Sequence, residues 1–168
     1  LELVWTIIPT LIALSMFYTG WQSFLGLRAV PKDALEVKGT AMQFGWTFEY
    51  PNGKVSDALL MPPHGKAVKL TLTSRDVIHG FYVPSFRIKM DAIRNMETYA
   101  WFYAGKPGSF NIFCTQYCGE GHAEMRSLLH VVTEEEFRTW LDRERARALE
   151  PVDLVEALDP ASKKIKER

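Results

Sequence analysis

Between Leu3 and Leu27 the chain carries no charged side chain, and that run limits the fold more than any other feature. At ~1.5 Å of rise per residue it is long enough to cross a hydrocarbon core of ~30 Å. In lipid a single segment satisfies its own backbone hydrogen bonds only as a helix. The run therefore predicts a transmembrane helix over residues 1–28. A secretory leader would open with basic residues and close on a small-residue cleavage site, which Glu2 and the length of the run oppose. A buried core helix is the other alternative, and it has no need of so long an apolar stretch. Trp5, Tyr18 and Trp21 are amphipathic rings of the kind that settle at headgroup level. Thr6, Thr10, Ser15, Thr19 and Gln22 are too many polar groups for lipid alone, which predicts one face packed on a neighbouring membrane helix. Pro9 predicts a bend or loosened first turns. Because the chain opens on Leu1 rather than Met, a preceding piece is expected.

The 168 residues, 47% of them hydrophobic, suffice for an anchor and one compact domain. A net charge of zero gives no electrostatic footprint for nucleic acid, so none is expected as a partner. Residues 29–36, opened by Pro31, read as a linker, residues 37–132 as a β domain, and residues 133–168 as a C-terminal helix and tail. From Ala41 to Tyr50 large apolar residues occupy every even position (Met42, Phe44, Trp46, Phe48, Tyr50), which predicts one strand with one buried face. Further strands are predicted over Lys66–Thr73, Val77–Val83, Tyr99–Tyr103, Ser109–Cys114 and Leu128–Val132, separated by Gly and Pro turns. Short strands so spaced predict an antiparallel Greek-key β-sandwich, a mainly β fold. Thr133-Glu-Glu-Glu136 is a capping-box start, with Phe137, Trp140 and Leu141 at helical spacing through to about Leu149. Pro151 ends that helix, and the tail from Pro160 reads as a solvated end.

Chemistry concentrates in Cys114-Thr-Gln-Tyr-Cys118-Gly-Glu-Gly-His122-Ala-Glu-Met125, where two thiols, an imidazole and a thioether fall within twelve residues. Soft sulfur ligands select copper or zinc over magnesium or calcium, and Met beside Cys and His marks copper electron-transfer centres. His79, in Asp76-Val-Ile-His79, is the expected second imidazole. Two other readings stay open from the residues alone. Cys114 and Cys118, the only cysteines, could form a disulfide. They could also join two histidines around structural zinc, a site with no use for Met125. His64 and His130 have no partner pattern and are expected to be non-ligands.

C-x3-C-x3-H-x2-M preceded by D-V-I-H resembles the binuclear copper (CuA) site of subunit II of haem-copper cytochrome c oxidases. The resemblance runs from Glu2 to about Trp140, and the family's domain is a cupredoxin fold. It implies that Cys114 and Cys118 bridge two copper ions, that His79 binds one and His122 the other, and that Met125 and the Gln116 carbonyl are weak ligands. Glu2-Leu-Val-Trp5-Thr-Ile-Ile-Pro9 is similar to the start of the family's second membrane helix, so the missing piece would be the first. In many relatives the glutamate at the Glu2 position marks the entrance of a proton route. The aromatic run resembles a stretch whose tryptophan accepts electrons; Phe44 replaces that residue, while Trp46 matches an aromatic position. Asp76 and Glu49 keep an acidic pattern for docking the donor, and Arg75 breaks it. Lys89 and Asp91 lie in a stretch similar to one that faces the catalytic subunit near its haems. Gln116 replaces a common glutamate, so no magnesium is expected.

The function implied is that of a membrane-anchored electron-transfer subunit of cytochrome c oxidase, an oxidoreductase that reduces oxygen to water. Its partners would be the haem-bearing subunit I, further membrane subunits, and a cytochrome c or other one-electron donor. The expected location is a bacterial inner membrane with the copper domain on the periplasmic face. The charges that follow the helix, Arg28 and Lys32, decide little before a long domain. Two rivals are the copper subunit of a haem-copper nitric oxide reductase and a membrane-tethered copper chaperone. The chaperone predicts thioredoxin-like α/β alternation.

Overall fold

The structure is a computed structural model that describes residues 1–62 and 66–149. His64 and the tail from Pro160 lie outside the described residues. The uncharged run forms one helix, α1 (Glu2–Arg28), which passes through Pro9 and buries none of its side chains. It is long and apolar enough to cross a membrane. Its hydroxyls turn back on the helix: Thr6 donates to the Glu2 carbonyl at 2.9 Å, Thr10 to that of Thr6 at 2.6 Å and Ser15 to that of Ile12 at 2.7 Å. Thr19 and Ser23 do the same. These groups are thus satisfied without a second helix, as lipid demands.

Residues 35–131 build two five-stranded sheets. Their strands are β1 (Leu35–Met42), β2 (Gly45–Glu49), β3 (Val55–Ser56), β4 (Leu59–Met61), β5 (Val68–Ser74), β6 (His79–Val83), β7 (Ile88–Ala92), β8 (Thr98–Phe102), β9 (Gly108–Cys114) and β10 (Arg126–Val131). One sheet runs β3-β2-β1-β5-β8 and the other β4-β10-β9-β6-β7. β1 begins at Leu35, within the stretch read as linker. The fold is mainly β and cupredoxin-like, with an apolar helix before it and a second helix after. Among the described residues no α-helix falls between β1 and β10, against the alternation that a thioredoxin-like chaperone requires.

Two local expectations are corrected. The aromatic run is a hairpin, β1 turning at Gln43–Phe44 into β2, not one strand. The sheets are mixed rather than antiparallel throughout, since β1 pairs in parallel with β5 and β4 with β10. The stretch after Val83, read from sequence only through its resemblance, contains β7, antiparallel to β6.

The inner faces meet on aromatic edges. Phe81 of β6 sets its ring 5.5 Å from Trp46 and 6.4 Å from Phe48 across the sandwich, near perpendicular to both. Val37, Phe48, Leu70, Leu72, Phe81, Ile112 and Leu129 are fully buried, each stabilising the fold by ~1.5–3 kcal/mol. α2 (Glu134–Leu149) opens on a reciprocal cap: the Thr133 amide donates to Glu136 Oε2 at 2.8 Å and the Glu136 amide to Thr133 Oγ1 at 3.2 Å. The helix buries Phe137 and sets Trp140 edge-on to Tyr50, ring centroids 5.0 Å apart. At the β8 edge of the first sheet the sandwich meets α1. Trp101 Nε1 donates to the Leu27 carbonyl at 2.7 Å and the Tyr99 hydroxyl to that of Arg28 at 3.3 Å. The Arg28 guanidinium lies 4.1 Å over the Tyr99 ring.

Candidate metal centre

Strand ends carry the candidate ligands. β6 begins on His79, and β9 ends on Cys114 beside it, with Phe81 opposite Cys114 in the ladder. The chain then loops, and β10 returns antiparallel to β9, so that the Cys114 amide donates to the Met125 carbonyl at 3.3 Å. Between them Gly119 takes φ +134°, a conformation open to glycine. The His122 amide donates to the Gly119 carbonyl at 3.0 Å.

The two sulfurs are 3.9 Å apart and unbonded, nearly twice the ~2.05 Å of a disulfide. His79 Nδ1 lies 3.9 Å from Cys114 Sγ and 3.2 Å from Met125 Sδ. Met125 Sδ is 3.8 Å from Cys118 Sγ, and His122 Nδ1 is 3.5 Å from the same sulfur. The ligand atoms of His79, Cys114 and Cys118 all fall within 4.8 Å of one another, with all three side chains buried. His122 stands outside that trio, half-exposed, its ring 5.6 Å from that of Tyr117. The Gln116 carbonyl lies 3.2 Å from Cys114 Sγ. Two thiols, two imidazoles and a thioether so gathered fit a soft metal, and the Met125 thioether beside the Cys118 sulfur and the His79 ring fits copper better than zinc.

The surroundings orient this set. His79 Nε2 meets Asp76 Oδ1 at 2.7 Å. Partial burial pushes the Asp76 carboxyl up, but bonds from His79 and from the amides of Gln43 and Val77 outweigh it and hold the group at about 2. An ionised carboxylate can only accept, so Nε2 carries the proton and Nδ1 keeps its lone pair toward the sulfurs. Burial, and then the neighbouring Cys114 thiol, push the Cys118 thiol up to about 11.

The other predicted residues are scattered. Phe44 is 43% exposed at the hairpin turn, whereas Trp46 is buried with its ring 6.2 Å from that of His79. Glu49 sits at the far end of β2, ~13 Å along the strand from Gly45, and is not brought to the centre. Asp76 is: read from sequence as a docking acid, it is the partner of His79. Lys89 is exposed on β7, and Asp91 is half-buried there with Oδ1 unbonded. Glu2 lies at the exposed start of α1, remote in sequence from all of these. His130 is bonded to the Ser109 hydroxyl at 2.8 Å. Sequence reasoning missed Gln43, whose bonds reach residues 33 and 75 positions away. Gln43 and Phe44 are not turn-forming types, and Gly45, paired back to Met42, is the one turn signal there.

Residues 54–132 match the family of the periplasmic domain of cytochrome c oxidase subunit II. Over 118 residues, 70% of its length, the chain is 42% identical to cytochrome c oxidase subunit 2 of Thermostichus vulcanus, of which it spans 36%. It is 31% identical to the alternative cytochrome c oxidase subunit 2 of Bradyrhizobium diazoefficiens, 76% of this chain against 56% of that one. The crystal structure of the periplasmic domain of subunit II of cytochrome oxidase of Bradyrhizobium japonicum is similar with a TM-score of 0.66 at 33% identity, covering 71% of this chain and 99% of that domain.

Proposed function

This chain belongs to the cytochrome c oxidase subunit II family, and from that premise we propose that it is the electron-transfer subunit of a membrane haem-copper oxidase. Its centre would hold two copper ions between His79, Cys114, Cys118, His122 and Met125, with the Gln116 carbonyl as a further weak ligand. Bound there, copper would supply one-electron chemistry between a cytochrome c-like donor and haem in subunit I, where oxygen would be reduced to water.

The chain's own part is to present this set of donors and to shield them. Cys114, Cys118 and Met125 are buried while His122 and Phe44 reach the surface, so a docked donor would meet an imidazole edge and an aromatic ring. Asp76 fixes the tautomer of His79. α1 would anchor the sandwich on the periplasmic face of a bacterial inner membrane. Lys89 and Asp91 would face subunit I, and Glu2 would stand at the mouth of a proton route at the other end of α1. The shape of this chain supports an electron-carrying role: the oxygen-reducing site would belong to the partner.

One observation carries the reading, the unbonded pair of sulfurs 3.9 Å apart with an imidazole nitrogen within 4 Å of each. Copper added to the full reduced chain in detergent should bind at two ions per chain. Its electron-spin spectrum should show one electron shared between two equivalent nuclei. A single-copper pattern at one ion per chain would overturn the assignment.

A further inference from the structure

We infer that Gln43 is a positioning residue for the metal centre, binding the two ligand-bearing loops to one another through a single side chain and its own backbone. This rests on the copper assignment and extends it to a residue that touches no metal. The Gln43 backbone amide donates to Asp76 Oδ2 at 2.8 Å, and the other oxygen of that carboxylate holds His79 Nε2 at 2.7 Å. The Gln43 side-chain amide donates to the Cys118 carbonyl at 2.5 Å. One residue of the β1–β2 turn thus braces an imidazole ligand on one side and a thiolate ligand on the other. They come from segments 33 and 75 residues away in the chain.

The neighbouring ring secures the same turn. Phe44 lies where side chains on the 119–121 loop would be: a Cβ on Gly121 would come within 2.5 Å of its ring, and one on Gly119 within 3.2 Å. The loop so covered runs on to His122, whose amide bonds back to the Gly119 carbonyl. Fixing Cys118 O therefore fixes the start of the turn that aims the second imidazole. Gln43 itself is exposed, so its replacement leaves the packed core untouched.

The two halves of this brace separate by mutation. Gln43→Ala keeps the backbone amide on Asp76 and removes only the bond to Cys118. Gln43→Glu keeps the shape but puts an acceptor against the Cys118 carbonyl. Groups that orient metal ligands in this way cost about 10–100-fold in metal affinity when removed. The full chain in detergent, loaded with copper, should lose the metal to a chelator at least about tenfold more readily in either variant. Because only the Cys118–His122 half is loosened, the two nuclei should become inequivalent in the electron-spin spectrum. Variants with the wild-type spectrum and copper retention, changed only in melting temperature, would show the bond to be structural and overturn the inference. A wild-type chain that took up fewer than two coppers would overturn the copper assignment, and this role with it.

Discussion

Asp76 holds His79 from behind: its carboxylate lies 2.7 Å from Nε2, while Nδ1 on the other edge of the ring lies 3.2 Å from the Met125 sulfur. The pair explains how a ring with no exposed surface can keep a defined tautomer. Replacing Asp76 with Ala should weaken copper retention by about 10–100-fold, read by competition with a chelator. Asp76→Asn can offer its amide oxygen to the same proton and should fall between the two. Equal retention in all three chains would remove the carboxylate from the account.

Copper loading should be opposed by acid. The Cys118 thiol is raised to about 11 by burial and by Cys114, so at neutral pH it is protonated, and a metal that binds thiolate must displace that proton. The sign follows: apparent affinity rises with pH throughout the range below about 11, by up to about tenfold per pH unit for each thiol proton released. Titration of copper affinity between pH 5 and pH 8 checks this. A flat profile would contradict it.

Gly121 is needed for space. Its φ of −82° suits any residue, but the Phe44 ring occupies the place of a side chain. Gly121→Ala should therefore loosen the loop and lower copper retention. Adding Phe44→Ala should restore much of the loss, because the clash goes with the ring. If the double variant is no better than the single one, crowding is not the reason for the glycine.

Much of this was legible in the sequence, for reasons that differ by residue. Cys114, Cys118, His122 and Met125 announce themselves because one short loop holds them all. α1 follows from the lack of charge between Leu3 and Leu27, and the Thr133–Glu136 cap from a four-residue pattern. Other features depend on pairings that local pattern does not carry. The alternating aromatics from Met42 to Tyr50 hide a turn, because Gln43 and Phe44 are not turn-forming residues and tertiary bonds to Asp76 and Cys118 hold them there. The parallel neighbours β1 and β5 are joined through a long excursion, whereas short strands and turns suggest only hairpins. Asp76 looks like surface charge until His79 is placed beside it.

The C-terminal helix should stabilise the sandwich. Phe137 is buried on Tyr50 and beside Trp140, so Phe137→Ala should cost about 3 kcal/mol in urea unfolding. The cap adds a pH dependence. Bonds from the Thr133 amide and hydroxyl hold the Glu136 carboxyl below its usual value of 4.5. A carboxyl lowered by folding contributes above its unfolded value and loses that contribution as pH falls through the folded one. Wild type and Glu136→Gln should therefore differ in stability at pH 7 and converge toward pH 3. Parallel curves over that range would show that the cap carries no such linkage.

Trp101 and Tyr99 hold the last two carbonyls of α1 at the near edge of a rigid sheet. Residues 29–34 therefore act as a bracket and not a leash. The loops that carry the candidate ligands lie at the far ends of strands in the other sheet. Since tunnelling falls steeply with distance, the spacing between this centre and any haem in the membrane would respond to what holds the sandwich against the end of α1.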